Sequence, residues 1–309
     1  MEFIEPSVEL WTQGDTIEDI WKHIARCVRV CYQSTPKNDN ETEEAFVKRV
    51  LFRDDEHWNS VRNHLAMLEH GTIYLHIVHD AADEYEVCSF YRMNKYSKMI
   101  CKEINGVMNH FITTNFRVII ENYREHDLQY LCEPTSYHAK RYTFCFTTNI
   151  GVSREFNRHR VNSIAEESTR YCNYSKKNDG QIKIGLPAWL LNEENRSYIT
   201  RHQNDELSSY CQEYLNGNND VNPECWNDMD FYLFALTVSE YCYNRLIKKG
   251  WLPQQAREVL PLATKTQLVH TAFEDDWKHF IALRSDGVSG KPHPNAKILA
   301  DKVKEILEQ

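Results

Sequence analysis

Arg154-Glu155-Phe-Asn-Arg158-His159-Arg160-Val-Asn-Ser163-Ile-Ala-Glu166-Glu167-Ser168-Thr169-Arg170-Tyr171 is the stretch on which the reading of this chain turns. Four arginines crowd into it, although the whole protein carries a formal net charge of -9. Guanidinium groups held close together repel unless something anionic sits among them. Arginine also matches phosphate oxygens through its fixed fork of donors. One reading of the run is therefore a pocket for a phosphorylated small molecule. The other is a solvated helix face laced with weak surface ion pairs. Composition alone leaves both open.

The order of residues separates them. Arg158-His159-Arg160, then Ser168 after seven intervening residues, then Arg170-Tyr171, resembles the signature of the flavin-dependent thymidylate synthases at every motif position. Gln255-Ala-Arg257-Glu-Val-Leu260-Pro261 is similar to the Ala-Arg-x-x-Leu-Pro segment of that family, and Phe280-Ile-Ala-Leu283-Arg284 to its Phe-x-x-Leu-Arg. Upstream, His64-Leu-Ala-Met-Leu-Glu69-His70 resembles the family's His-x-x-x-x-Glu-His. These stretches come in the family's order.

The chain also departs from the pattern. Ala66 stands where relatives often carry Ser or Thr, and Phe273-Glu-Asp275 replaces a frequent Asn-x-Arg pair. Ser285 to Pro292 intervene before His293, which aligns with a family His. The distance from His70 to Arg158 is far longer than in typical members, so residues from about 78 to 140 read as an insertion within one catalytic domain spanning 1–309.

Composition sets the broader limits. At 309 residues, 41% hydrophobic and 12% aromatic, the chain is long enough for a sizeable core. No window is apolar enough for a membrane span, and Met1-Glu-Phe-Ile-Glu-Pro has no signal-peptide layout. The ten cysteines include no Cys-x-x-Cys pair and read as reduced thiols in a cytoplasmic setting. No metal motif and no G-x-G-x-x-G loop is present.

Periodicity predicts strand over Phe3–Trp11, then a helix capped by Thr16 with Ile20, Ile24, Val28 and Cys31 on one face. A second helix is expected over Glu43–His57 and a strand after Gly71; neither helix shows a chemical role. Within the inserted segment we expect a hairpin-like stretch at Glu84–Arg92 and a helix around Thr113–Asn122, with Tyr91, Phe111 and Phe116 marking packed structure. Arg141–Thr148 alternates as a strand. Residues 153–159 should begin helical, and Ser163–Tyr171 should form a loop and helix start whose N–H groups near Ser168 and Thr169 face phosphate. Later expectations are strand and turn over Gln181–Pro187, and a helix from about Ser197 to Tyr214. A long helix over Glu224–Lys249 ended by Gly250, and an amphipathic helix over Asn295–Glu308, follow.

The resemblance implies an α+β fold, with helices packed on a central antiparallel sheet, and a homotetramer whose active sites combine several subunits. It implies reductive methylation of dUMP, with methylenetetrahydrofolate as carbon donor and FAD reduced by NADPH as hydride source. Arg284 is the implied catalytic residue, an always-charged group aimed at developing charge on the uracil. The dUMP set is Glu155, Arg158, Glu166, Glu167, Ser168, Thr169, Arg170, Arg257 and Arg284; Glu155 contacts ribose or buttresses Arg158. The FAD set is His64, Glu69, Arg158, His159, Arg160, Glu166, His279 and His293. Ser168 is cast as a phosphate ligand, because an activated serine needs an oriented base within reach and no nucleophile elbow is present.

The same run also admits a different class of function, a nucleic-acid-binding module gripping a phosphate backbone with Arg154–Arg170. It predicts strong salt dependence and polymer binding, and the acidic balance of the chain speaks against it.

Overall fold

The computed structural model describes residues 1–52, 64–78, 82–176, 180–201, 213–214, 216–217 and 222–309. The chain opens with β1 (Glu2–Ile4), β2 (Ser7–Trp11), α1 (Ile17–Tyr32) and α2 (Glu43–Leu51). A 3-10 turn over Leu65–His70 leads into β3 (Thr72–Val78), α3 (Ala82–Met93), β4 (Lys98–Ile104), β5 (Val107–Asn115) and α4 (Phe116–Glu121). Next come β6 (Arg141–Asn149), α5 (Ile150–Phe156), β7 (Ser163–Glu166), β8 (Lys183–Gly185) and α6 (Glu193–Arg201). The chain closes with α7 (Asp228–Lys248), α8 (Pro253–Ala256), β9 (Lys265–Phe273), α9 (Glu274–Arg284) and α10 (Pro294–Glu308).

The central sheet is antiparallel, with strand order β2-β6-β9-β7. Its two middle strands pair from Arg141↔Phe273 to Asn149↔Lys265. Both faces of this pair are covered, which explains why β6 is buried almost throughout rather than alternately. Phe144 and Phe146 point into a cluster with Trp277, Phe280 and Leu299 from α9 and α10. Cys145 and Val269 point the other way, into the core built on α1. Phe144 meets Trp277 edge-on at 4.7 Å. Fully burying such a side chain stabilises the fold by about 1.5–3 kcal/mol.

α1 forms where its periodicity placed it. Thr16 Oγ1 accepts from Asp19 N at 3.1 Å, and Ile20, Ile24 and Val28 are buried. The helix stops at Gln33, whose φ of 51° turns the backbone left-handed. The predicted strand over Phe3–Trp11 is split at Pro6, which has no N–H for a ladder. β1 pairs instead with β8, in parallel. Helix α2 ends at Leu51; the remainder of the expected Glu43–His57 helix beyond Phe52 lies outside the described residues.

The segment 78–140 is folded over its described residues. β4 and β5 form an antiparallel hairpin through Asn105 and Gly106, both at positive φ, and β5 pairs with β3. Tyr91, Phe111 and Phe116 are buried, as expected of packed aromatics. Two local expectations fail here. Glu84–Arg92 lies in α3, not a hairpin, because Val87, Cys88 and Tyr91 recur at helical spacing and bury together. The expected helix at Thr113–Asn122 is strand as far as Asn115, since Thr113 and Thr114 pair across to both β3 and β4 or β3 alone.

Two strands run straight into helices through the same device. Asn115 Oδ1 accepts from Val118 N at 3.1 Å, and Asn149 Oδ1 accepts from Val152 N at 3.0 Å. Such a side-chain cap contributes about 1 kcal/mol and fixes the first helical turn against the strand end. α5 therefore starts at Ile150, earlier than the expected 153, and closes at Phe156. Helix α6 starts at Glu193, ahead of the expected Ser197, and the expected run through 202–212 lies outside the described residues. α7 starts from an Asn227–Asp230 capping box, and Gly250 follows it at φ 93°. No helix among the described residues is long and apolar enough to cross a membrane.

Candidate active site

Where α5, β7 and the segment before β9 converge, the chain forms a cavity of about 560 Å³. Ser153 and Arg154 of α5 form one wall, and Arg257 with Leu260–Leu262 another. Glu166 through Arg170 and the Cys31 end of α1 close it. β7 takes its position from pairing with β9, Ser163↔Thr271 through Glu166↔Leu268. This corrects the expected loop and helix start over Ser163–Tyr171: four residues are strand, followed by a turn in which Tyr171 N donates to Ser168 O. A four-residue strand carries too little alternation to be read from sequence; the edge of β9 dictates it.

The N–H of Ser168 donates to the carbonyl of Cys31 at 3.1 Å. It is therefore spent within the protein, which corrects the expectation that it faces phosphate. The Ser168 hydroxyl and the Thr169 side chain remain at the cavity, and Arg257 Nη1 donates to Thr169 Oγ1 at 3.2 Å.

Charge is distributed unevenly. Arg29, Arg49, Arg117 and Arg196 all sit against carboxylates elsewhere in the fold. By contrast, the Arg154, Arg158 and Arg160 side chains meet no carboxylate among the described residues. The Arg170 guanidinium lies 5.4 Å from the Tyr171 ring, and Arg257 has only a loose approach of 3.8 Å to the exposed Glu258. Glu258 shares the cavity wall with two further carboxylates, Glu166 and Glu167, which are held by other groups. Glu166 accepts from Asn157 Nδ2 at 2.9 Å, and Glu167 from Lys265 Nζ at 2.8 Å. Arg154, Arg170 and Arg257 thus face one cavity with their charge largely unanswered.

A second cluster lies around the far end of α5. Arg284 donates to Glu155 Oε2 at 2.8 Å, to the Glu155 carbonyl at 2.8 Å, and through Nε to His159 Nε2 at 3.1 Å. Glu155 therefore buttresses Arg284, where Arg158 was expected. Because Nε2 accepts, the His159 ring is neutral. Burial, followed by the Arg284 charge, lowers its pKa to about 4. The exposed His279 ring lies 6.2 Å from it. Arg158 and Arg160 are exposed on the turn between Glu155 and the strand.

Within one chain the structure therefore brings together Glu166, Glu167, Ser168, Thr169, Arg170 and Arg257, and separately Glu155, His159, His279 and Arg284. Arg284 does not line the first cavity. His64 is exposed, 6.2 Å from the Tyr32 ring, which lies 5.9 Å from Tyr171. Glu69 is held elsewhere, by Arg117 at 2.6 Å, beside a smaller cavity of about 210 Å³ with Asn94 and Tyr96. His293 caps α10, its Nδ1 accepting from Asn295 N at 3.2 Å. Phe273, flagged as a departure, packs under Lys98 at 4.6 Å, and Asp275 pairs with the same lysine at 3.0 Å.

Several cavity residues escaped the sequence, Arg154 and Cys31 among them. Arg154 belongs to the arginine-rich run but received no role, although its place one residue before Glu155 sets it on a different face of α5. Cys31 was read as part of an inert helix face. Burial pushes its thiol up to about 11, so it stands in the wall as a neutral group.

A family profile described as thymidylate synthase complementing protein matches residues 133–309. The match includes the Arg284 cluster and every cavity-lining residue but Cys31, and stops short of His64 and Glu69. Among solved structures, the chain is similar to a UMP/dUMP methylase PolB from Streptomyces cacaoi bound with 5-Br dUMP. Identity is 15% and the TM-score 0.41, over 99% of this chain and 92% of that one. The same enzyme bound with 5-Br UMP matches with equal identity and score over 90% of its chain. No curated protein matches the sequence. With the profile spanning more than half of its length, this chain belongs to the thymidylate synthase complementing protein family.

Proposed function

We propose that the chain is a flavin-dependent thymidylate synthase that methylates dUMP to dTMP, taking carbon from methylenetetrahydrofolate and hydride from FAD reduced by NADPH. The observation that carries this reading is the cavity in which Arg154 and Arg170, which meet no carboxylate among the described residues, converge with Arg257 beside Ser168 and Thr169. Its volume of about 560 Å³ suits one nucleotide. Guanidinium forks and hydroxyls would hold the phosphate, and Glu166 offers an acceptor for ribose or ring N–H groups, while Glu167 is taken up by Lys265. Enclosure by Leu260, Pro261 and Leu262 supports a small ligand over a polymer backbone.

Arg284 would stabilise negative charge developing on the uracil, with Glu155 and His159 fixing its orientation. Since Arg284 stands outside the cavity of its own chain, the reading includes a homotetramer in which it serves a neighbouring subunit's nucleotide. The flavin fits in part. His159, the His279 ring 6.2 Å from it, and the exposed Arg158 and Arg160 next to it in sequence would offer polar groups to a flavin and its diphosphate, and His64 lies 6.2 Å from the Tyr32 ring, itself 5.9 Å from Tyr171. Glu69 and His293 are engaged elsewhere within the chain. Bound flavin supplies the reducing hydride; the protein orients it and sets its field. The reading treats 1–309 as one catalytic domain with 78–140 as its addition, working in the cytoplasm.

A visible absorption spectrum of the purified protein, with titration of dUMP, tests this. Flavin bands and saturable dUMP binding are expected. A colourless protein that takes no flavin and no dUMP refutes the proposal; polymer binding with steep salt dependence would favour the nucleic-acid reading instead.

A further inference from the structure

Glu166 and Glu167 stand in the wall of a cavity that also holds three arginines, yet neither is paired with them; a third wall glutamate, Glu258, approaches Arg257 at 3.8 Å from its exposed side. Glu166 is occupied by Asn157 at 2.9 Å and by Thr266 Oγ1 at 3.4 Å, both neutral donors. Glu167 is held by Lys265. That ion pair is enclosed: the side chains are 5% and 15% exposed for Glu167 and Lys265. A carboxylate lining the same cavity as Arg154 and Arg170 would ordinarily compete for them, since charge-assisted bidentate contacts are the strongest such bonds. Lys265 comes from outside the arginine-rich run, at the first position of β9, opposite Asn149 in the register. The Glu167 backbone N–H is fixed as well, donating to Gln267 O at 2.9 Å. Glu167 is thus pinned at both backbone and side chain on the β9 side of the cavity.

We infer that Lys265 is a positioning residue whose task is to hold the Glu167 carboxylate away from Arg154, Arg170 and Arg257, leaving those guanidiniums open to a phosphate monoester. The inference rests on the reading of this cavity as a nucleotide site and adds a residue to it. Without Lys265, Glu167 becomes an internal competitor: its carboxylate mimics the ligand's anion and closes on the nearest arginine. The lysine acts through another side chain, so its removal should be felt in affinity for the anion and reversed by removing the carboxylate too. A lysine that merely props the fold would show no such reversal.

The test compares parent, Lys265→Met and the double variant Glu167→Gln/Lys265→Met, using dUMP and inorganic phosphate as separate probes in equilibrium binding, with folding checked by circular dichroism. Lys265→Met should weaken both probes by about tenfold or more, and the double variant should return to within about threefold of the parent. Unchanged binding by Lys265→Met overturns the inference, as does a double variant as weak as the single one. If Lys265→Met does not fold, the double variant decides alone: near-parental affinity supports sequestration and weak binding overturns it. A parent that binds inorganic phosphate but not dUMP removes the nucleotide reading and leaves the role of Lys265 to be judged on phosphate. A parent that binds neither overturns both.

Discussion

His270 makes the acid stability of this fold a quantitative question. Its ring lies on β9 among Phe146, Phe156 and Trp277, at 6.0, 6.5 and 6.4 Å. Nδ1 accepts from Asn162 Nδ2 at 3.1 Å, and burial, followed by the nearby His159, lowers its pKa to about 3. In the unfolded chain the same ring takes a proton near its ordinary 6.5. Between those values the unfolded state binds the proton and the folded state does not. The stability from this group is therefore complete above pH 6.5 and is lost as pH falls toward 3. The slope is about 1.4 kcal/mol per pH unit, with an upper bound of roughly 5 kcal/mol over the full window. The perturbation is His270→Phe, which keeps an aromatic ring in the cage and removes the titration. At pH 7.5 the variant should be less stable by about 1–3 kcal/mol, because Asn162 loses its partner. Urea unfolding from pH 7.5 down to 4 should then show the parent falling more steeply, by about 1.4 kcal/mol per pH unit over the acid part of the range. His23, lowered by burial, steepens the two curves alike and drops out of the difference, and His70, lowered chiefly by burial with a lesser part from His270 itself, nearly does. Parallel curves would refute the reasoning, since His270 would then exchange its proton in the folded state.

Other expected outcomes concern the site. Arg284→Ala should keep fold and flavin content while lowering kcat by about a hundred- to thousandfold; turnover near the parent rate would remove Arg284 from the chemistry. Ser168→Ala should raise the dUMP KM by about tenfold through loss of a hydrogen bond to a charged group, with kcat retained. Steady-state kinetics with unchanged KM and abolished kcat would return Ser168 to consideration as a nucleophile.

The sequence exposed those features that local chemistry determines. Thr16 caps its helix, Gly250 follows α7, and Arg141–Asn149 alternates between two cores. Ser168, Thr169, Arg170 and Arg257 meet at one cavity although far apart in the chain, and the motif order anticipated that. What escaped was set by partners distant in sequence. β7 exists because β9 offers an edge, and α3 reads as alternation until Val87, Cys88 and Tyr91 find a common core. The Ser168 N–H looked available for an anion because nothing nearby in sequence shows that Cys31 claims it. Glu69 and Arg117 are separated by 48 positions, so their ion pair could not be anticipated from either stretch alone.

The bond from Ser168 to the last turn of α1 ties the proposed anion site to a helix of 16 residues rooted in the largest hydrophobic cluster among the described residues. Ligand occupancy should therefore slow amide exchange in that last turn. The converse also holds: trimming Ile24 or Val28 loosens the seat of the recognition loop, and affinity becomes a gauge of packing in a part of the protein that never touches the nucleotide.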